Sequence, residues 1–281
     1  MAKVTFQSLN DKALLYSVFK SSSSGNTTWE QLKKNVLADK DVYWDIRKGN
    51  YINAYFEGAN LMKIRYCSKK KEMQVSIHKK YLGLSDSGYE DLIKWLDGKN
   101  VADELKKIKQ KIQTVYSQKS GSDKEKWSES FIKSQYILKN RSYCIDSEFG
   151  YNDVTSNIRF DVVKCVNGEI SFVELKRIDD NRMLKKSDDL PEVIEQINEY
   201  QNFIKENKEA ILKYYQKLWK IKKDLGILPE KMSSPTKVNE IPELFIFNRW
   251  VKAHPKRDAR KKRIEDLLKK ENKTFKICSE I

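Results

Sequence analysis

Residues 159–176 read RFDVVKCVNGEISFVELK, two runs rich in β-branched and aromatic residues on either side of Asn167-Gly168. Such a pair of runs around Asn-Gly predicts a β-hairpin. Side chains alternate along a strand, so Phe172, Glu174 and Lys176 share one face of the second arm, while Val173 and Leu175 share the other. In the first arm Asp161 sits between Phe160 and Val162, where the turn can bring it close to Glu174. Neighbouring carboxylates repel, and burying either is costly without compensation.

A divalent cation is the simplest compensation. Mg²⁺ prefers hard oxygen ligands, accepts one or two protein carboxylates and keeps waters for a substrate phosphate. It would polarise a phosphodiester and lower the pKa of a coordinated water. Lys176 would then orient that water or help deprotonate it, and offset charge growing on the phosphate. The plainer alternative is a solvent-facing Glu174–Lys176 ion pair, since Glu-x-Lys is a short and frequent pattern. Phe160 and Phe172 argue against full exposure.

Downstream of residue 126 the pattern predicts a helix (127–140) and three strands (142–149, 158–166 and 169–178). A long helix (about 188–224), a strand (243–251), a basic helix (about 256–270) and a final strand (275–281) follow. This is a mixed α/β order with helices flanking strands. In the long helix Leu190, Ile197, Ile204, Ile211, Leu218 and Leu225 recur every seven residues, with Val193, Ile194, Tyr214, Tyr215 and Ile221 on the same side. The stripe suits packing within the chain ahead of pairing with a second copy as a homodimer. Upstream lie a helical segment at 1–20, a Ser-rich break at 21–28 and a helix that Thr28 can cap. Two or three antiparallel strands follow between 51 and 83, then helices at 86–97 and 101–118. The polar SGSDKEK at 120–126 divides an N-terminal α+β module, residues 1–120, from the rest, residues 121–281.

Phe160-Asp161, twelve intervening residues and then Glu174-Leu175-Lys176 resembles the PD-(D/E)XK nuclease superfamily, with phenylalanine where the motif has proline. Gln196-Ile197-Asn198-Glu199-Tyr200, one turn apart at its ends, resembles the QxxxY helix motif of RecB-like members. The resemblance covers roughly residues 125–281 and implies a restriction-endonuclease-like core, a mixed sheet flanked by helices. It implies that Asp161 and Glu174 bind Mg²⁺, with Mn²⁺ as a substitute, and that Lys176 assists the attacking water. Gln196 and Tyr200 would hold the lysine or a substrate phosphate. Glu129, in the helix before the first strand, matches the place of a helical metal-binding glutamate; Glu148 is its competitor.

The rest of the composition agrees with that expectation. The 281 residues carry a formal net charge of +15, which favours a polyanionic partner, most simply nucleic acid; with the nuclease resemblance, DNA is expected ahead of RNA. Lys69, Lys70 and Lys71 fall at the tip of a strand pair, and Lys256, Arg257, Arg260 and Lys261 near a helix start, where they oppose the helix dipole unless a phosphate compensates. The four cysteines form no CxxC pair and there are only two histidines, which argues against zinc and for reduced thiols. No apolar run approaches the ~18 residues of a membrane span, so a cytoplasmic location without membrane partners is expected. No Walker A loop is present. The expected function is a Mg²⁺-dependent DNA endonuclease of restriction or defence type, with residues 1–120 recognising substrate. The alternative is a nucleic-acid-binding protein of the same fold without catalysis.

Overall fold

The computed structural model describes residues 9–21, 27–47, 49–85, 87–120, 127–152, 157–185, 190–229 and 231–280. In chain order, the first part contains α1 (Leu14–Lys20), α2 (Thr27–Ala38), β1 (Val42–Arg47), β2 (Tyr51–Phe56), β3 (Ala59–Cys67), β4 (Glu72–His78), β5 (Tyr89–Asp91), α3 (Leu92–Leu96) and α4 (Val101–Ser120). The second contains α5 (Glu129–Lys139), β6 (Cys144–Asn152), β7 (Asn157–Val166), β8 (Glu169–Arg177), α6 (Glu192–Asp224), β9 (Lys237–Val238), β10 (Glu243–Phe247), α7 (Pro255–Lys270) and β11 (Phe275–Cys278). The chain is thus mixed α/β.

Strands β1 to β5 form an antiparallel sheet in sequence order. The other sheet runs β11-β10-β8-β7-β6, with β9 beside the start of β8. Strand β7 runs antiparallel to both of its neighbours, β6 and β8, whereas β10 runs parallel to β8 and β11 parallel to β10. Those parallel steps are crossovers through α6 and α7, which place helices against the sheet. The hairpin between β7 and β8 forms as its turn chemistry requires: Asn167 and Gly168 both have positive φ, 50° and 77°.

Helix α6 spans 33 residues, about 50 Å at ~1.5 Å per residue. Ile197, Ile204, Ile211, Leu218 and Leu225 of its seven-residue stripe are buried in the chain's own core, as are Val193, Ile194, Tyr215 and Ile221. Packing within the chain is therefore what the stripe does.

Three expectations are corrected. The segment 86–97 is not one helix: Tyr89–Asp91 extends the first sheet, and helix starts only where the Asp91 side chain accepts hydrogen bonds from the Ile93 and Lys94 amides. Strand β1 adds a member to the first sheet, and the two-residue β9 adds one to the second. The helical expectation at 1–20 holds for Leu14–Lys20. Residues 1–8, most of the Ser-rich break and residues 121–126 of the proposed boundary lie outside the described residues. All four cysteines are free; Cys165 is buried and the other three are half-buried.

The sheets meet through close contacts. Gly58, in the turn between β2 and β3, has φ 81°, and a Cβ there would sit 2.4 Å from the carbonyl oxygen of Ser130 in α5. Gly58→Ala is expected to destabilise the protein by about 1–3 kcal/mol, from overpacking and left-handed strain together. The urea midpoint reports it, and an unchanged midpoint would show that the turn yields freely.

Candidate active site

The β7–β8 ladder closes at Val162 opposite Val173. Beyond that pair β7 continues beside β6, while β8 continues beside β10, from Val173–Glu243 to Arg177–Phe247. Asp161 and Glu174 are the first residues past the last rung, at the point where the strands part. The Asp161 side chain occupies the fork: its Oδ2 accepts a hydrogen bond from the Leu175 amide at 3.0 Å. The alternation expected for β8 holds, with Phe172 in the core beneath α6, and Val173 and Leu175 packed with Ile132 and Tyr136 of α5.

The pleat of β7 slips once. Val163 lies opposite Phe172, and Phe160, three residues earlier, also meets the Phe172 ring, with centroids 4.3 Å apart. Strict alternation would put residues three apart on opposite faces. The β6–β7 pairing passes from Ser147–Val162 to Phe149–Phe160 with its register unchanged, leaving Glu148 and Asp161 between rungs; its shift falls earlier, between Cys144 and Asp146. Glu148 has a φ of 57°, a left-handed conformation inside a strand.

Glu174 and Lys176 are 3% and 4% exposed, so they are not a solvent-facing pair. The Lys176 ammonium donates to Glu174 Oε1, while Glu174 Oε2 is buried with no hydrogen-bond partner. Burial pushes the Glu174 carboxyl up, the Asp161 charge adds to this, and Lys176 and Arg182 only partly offset them, leaving it at about 7. Asp161 is less enclosed, with its Oδ1 3.8 Å from Lys133 Nζ of α5.

Gln196 and Tyr200 share one face of α6 as expected, but they hold each other and the sheet. Gln196 Nε2 donates to the Tyr200 hydroxyl at 2.6 Å, which donates to the Arg159 carbonyl at 2.5 Å. Tyr200 thereby fixes the backbone two residues before Asp161. Burial raises the Tyr200 hydroxyl pKa, and the Glu174 charge raises it further.

Glu129 is not drawn to the pair. It is half-exposed in the first turn of α5, its carboxylate 3.5 Å from Arg182. Arg182 is itself anchored on Asp180, with Nη2 to Oδ2 at 2.6 Å. Glu148 is engaged by cations instead: Lys133 at 2.5 Å, Arg159 at 3.5 Å and Arg47 at 3.8 Å. Burial opposes its charged form, but Lys133, Arg47 and Arg159 outweigh it and hold the carboxyl below its ordinary range. Among the described residues no group of three or more His, Cys, Asp or Glu side chains is arranged to hold a metal. The donor set is the Asp161–Glu174 pair with one orphaned carboxylate oxygen. That set fits Mg²⁺, which needs one or two carboxylates and keeps its waters.

Lys69, Lys70 and Lys71 are exposed at the β3–β4 turn, where Lys71 takes a φ of 53°. In α7, Lys256 is exposed, Arg257 lies over the Trp250 ring and Lys261 faces Glu265 at 3.7 Å. Arg260 turns inward, donating to the Ile178 carbonyl at 3.0 Å and the Asp180 carbonyl at 2.8 Å, so it braces the segment after β8 rather than facing a phosphate. No helix among the described residues is long and apolar enough to cross a membrane.

Sequence reasoning missed a buried ionic cluster that joins the sheets. Lys222 of α6 donates to Asp45 Oδ1 at 2.6 Å, to the Ile145 carbonyl at 2.6 Å and to the Trp44 carbonyl at 3.0 Å. Ser147 donates to Asp45, and Arg47 donates to Ser147 Oγ and to the Tyr55 hydroxyl. Burial, then the Asp45 charge, raises the Asp146 carboxyl pKa to about 7 against the pull of Lys222 and Arg47. The polar alternation of VYWDIR is the one local signal of β1. Compared with family models, curated proteins and solved structures, the chain matches none.

Proposed function

We propose that this chain is a Mg²⁺-dependent nuclease of the PD-(D/E)XK superfamily, cutting DNA ahead of RNA as an endonuclease of restriction or defence type. The observation that carries the reading is the buried Glu174 beside the half-buried Asp161 at a strand fork, with a Glu174 carboxylate oxygen left unpartnered beside a lysine. A negative pair at that depth is costly as it stands, and a hard cation relieves it. Bound there, Mg²⁺ (or Mn²⁺) supplies Lewis-acid polarisation of the scissile phosphate. Asp161 and Glu174 hold it; Lys176 orients the attacking water and offsets phosphate charge; Tyr200, with Gln196 behind it, steadies the strand that carries Asp161. The net charge of +15, the exposed lysines of the β3–β4 turn and Lys256 supply attraction to a phosphate backbone.

A second reading, nucleic-acid binding without catalysis, has one observation in its favour: the Glu174–Lys176 contact partly neutralises the site without any cation. Incubation with plasmid, linear duplex, single-stranded DNA and RNA separates the two. The nuclease reading expects cleavage with Mg²⁺ or Mn²⁺, abolished by EDTA and in Glu174→Gln. Intact substrates, together with salt-sensitive binding indifferent to EDTA and to Glu174→Gln, would decide for the second.

A further inference from the structure

Three acids lie side by side on adjacent strands, Glu148 on β6, Asp161 on β7 and Glu174 on β8, and the first is engaged by Lys133, Arg159 and Arg47. The Lys133 side chain is only 10% exposed, and its ammonium lies between two of these acids, 2.5 Å from Glu148 and 3.8 Å from Asp161. Glu148 reaches it from a left-handed backbone conformation, which is unfavourable for an L-residue and persists only where its surroundings impose it. Part of those surroundings comes from the first sheet, since Arg47 of β1 lies 3.8 Å from the far Glu148 oxygen and is anchored on Ser147 and Tyr55.

We propose that Glu148 is a positioning residue that holds the Lys133 ammonium off Asp161, keeping that carboxylate open to a divalent cation. The inference rests on the reading of Asp161 and Glu174 as a cation site. A buried ammonium does not stay uncompensated. With the Glu148 charge removed, the nearest carboxylate is Asp161, and Lys133 would close on it and compete with the metal. Glu148 thus acts on the site through Lys133 without itself being a ligand, and Arg47 makes the first sheet part of the device.

Mn²⁺ alone is the probe, titrated into the folded full chain by calorimetry or electron paramagnetic resonance, with no substrate present. Glu148→Gln is expected to weaken Mn²⁺ binding by about 10–100-fold, the usual effect of disturbing groups behind metal ligands. Glu148→Gln combined with Lys133→Met should regain most of the loss, because the competing ammonium is gone. A purely structural role for Glu148 would give no such rescue. Wild-type affinity in Glu148→Gln, or a double variant as weak as the single, would overturn the inference while leaving the cation site standing. Failure of the wild-type chain to bind Mn²⁺, or equal binding by Glu174→Gln, would remove the site itself and the inference with it.

Discussion

On the proposed nuclease reading, Lys176→Ala is expected to lower the rate of Mg²⁺-dependent DNA cleavage by about 10²–10⁴-fold, the range removed with a positioned proton-transfer group, and to leave KM within a few fold. The asymmetry follows from where the lysine is. Its ammonium is buried and already bonded to Glu174, so it lies at the fork and away from the exposed surface that would draw in a phosphate backbone. Lys176→Arg is expected to rescue little, because a guanidinium is larger, planar and does not give up a proton. Circular dichroism should accompany the rate, since deleting one member of a buried pair also costs stability. A folded Lys176→Ala protein cutting within about tenfold of wild type would remove the lysine from the chemistry.

The second large effect is on stability. Lys222→Met keeps the aliphatic stem and removes the ammonium that three acceptors share, the Asp45 carboxylate and the Trp44 and Ile145 carbonyls. Asp45, only 2% exposed, is then left with Arg47 3.4 Å away and the Ser147 hydroxyl as its remaining partners. Breaking a buried pair from one side costs about 3–5 kcal/mol, most of it the stranded charge. Urea unfolding of Lys222→Met measures that loss. Asp45→Asn in the same chain should return part of it, as coupled neighbours do. A loss below about 1 kcal/mol would mean that solvent or the neighbouring cations satisfy Asp45 unaided.

What could be read in the sequence was what depends on near neighbours. Asn167-Gly168 dictates its turn by itself. The turn fixes the register, and the register places Asp161 across from Glu174 at the end of the ladder. Gln196 and Tyr200 share a face because helix geometry puts them there, and Ile204 and Ile211 are buried because their spacing makes a stripe. What could not be read depends on partners far along the chain. Asp45 and Arg47 look like the wet face of a strand; only Ser147 and Lys222, about a hundred residues or more away, make their burial tolerable. Glu129 looked like the third acid because it precedes the first core strand, but the first turn of α5 delivers it to Arg182. Glu148 takes a left-handed backbone that no composition rule requires of glutamate, and Lys133, Arg159 and Arg47 engage its carboxylate. The Tyr200 hydroxyl reaches a backbone carbonyl, a target that side-chain patterns do not display.

Helix α6 is clamped at two places, by Tyr200 on the Arg159 carbonyl and, about 33 Å further along at ~1.5 Å per residue, by Lys222 on Asp45. Severing the chain at residues 121–126 therefore does not yield two autonomous fragments. The C-terminal piece would inherit an ammonium stripped of its counter-charge, and the N-terminal piece an aspartate left with Arg47 but without Lys222 and Ser147. Residues that read as an appended reader of substrate are thereby bound structurally to the half that carries the fork.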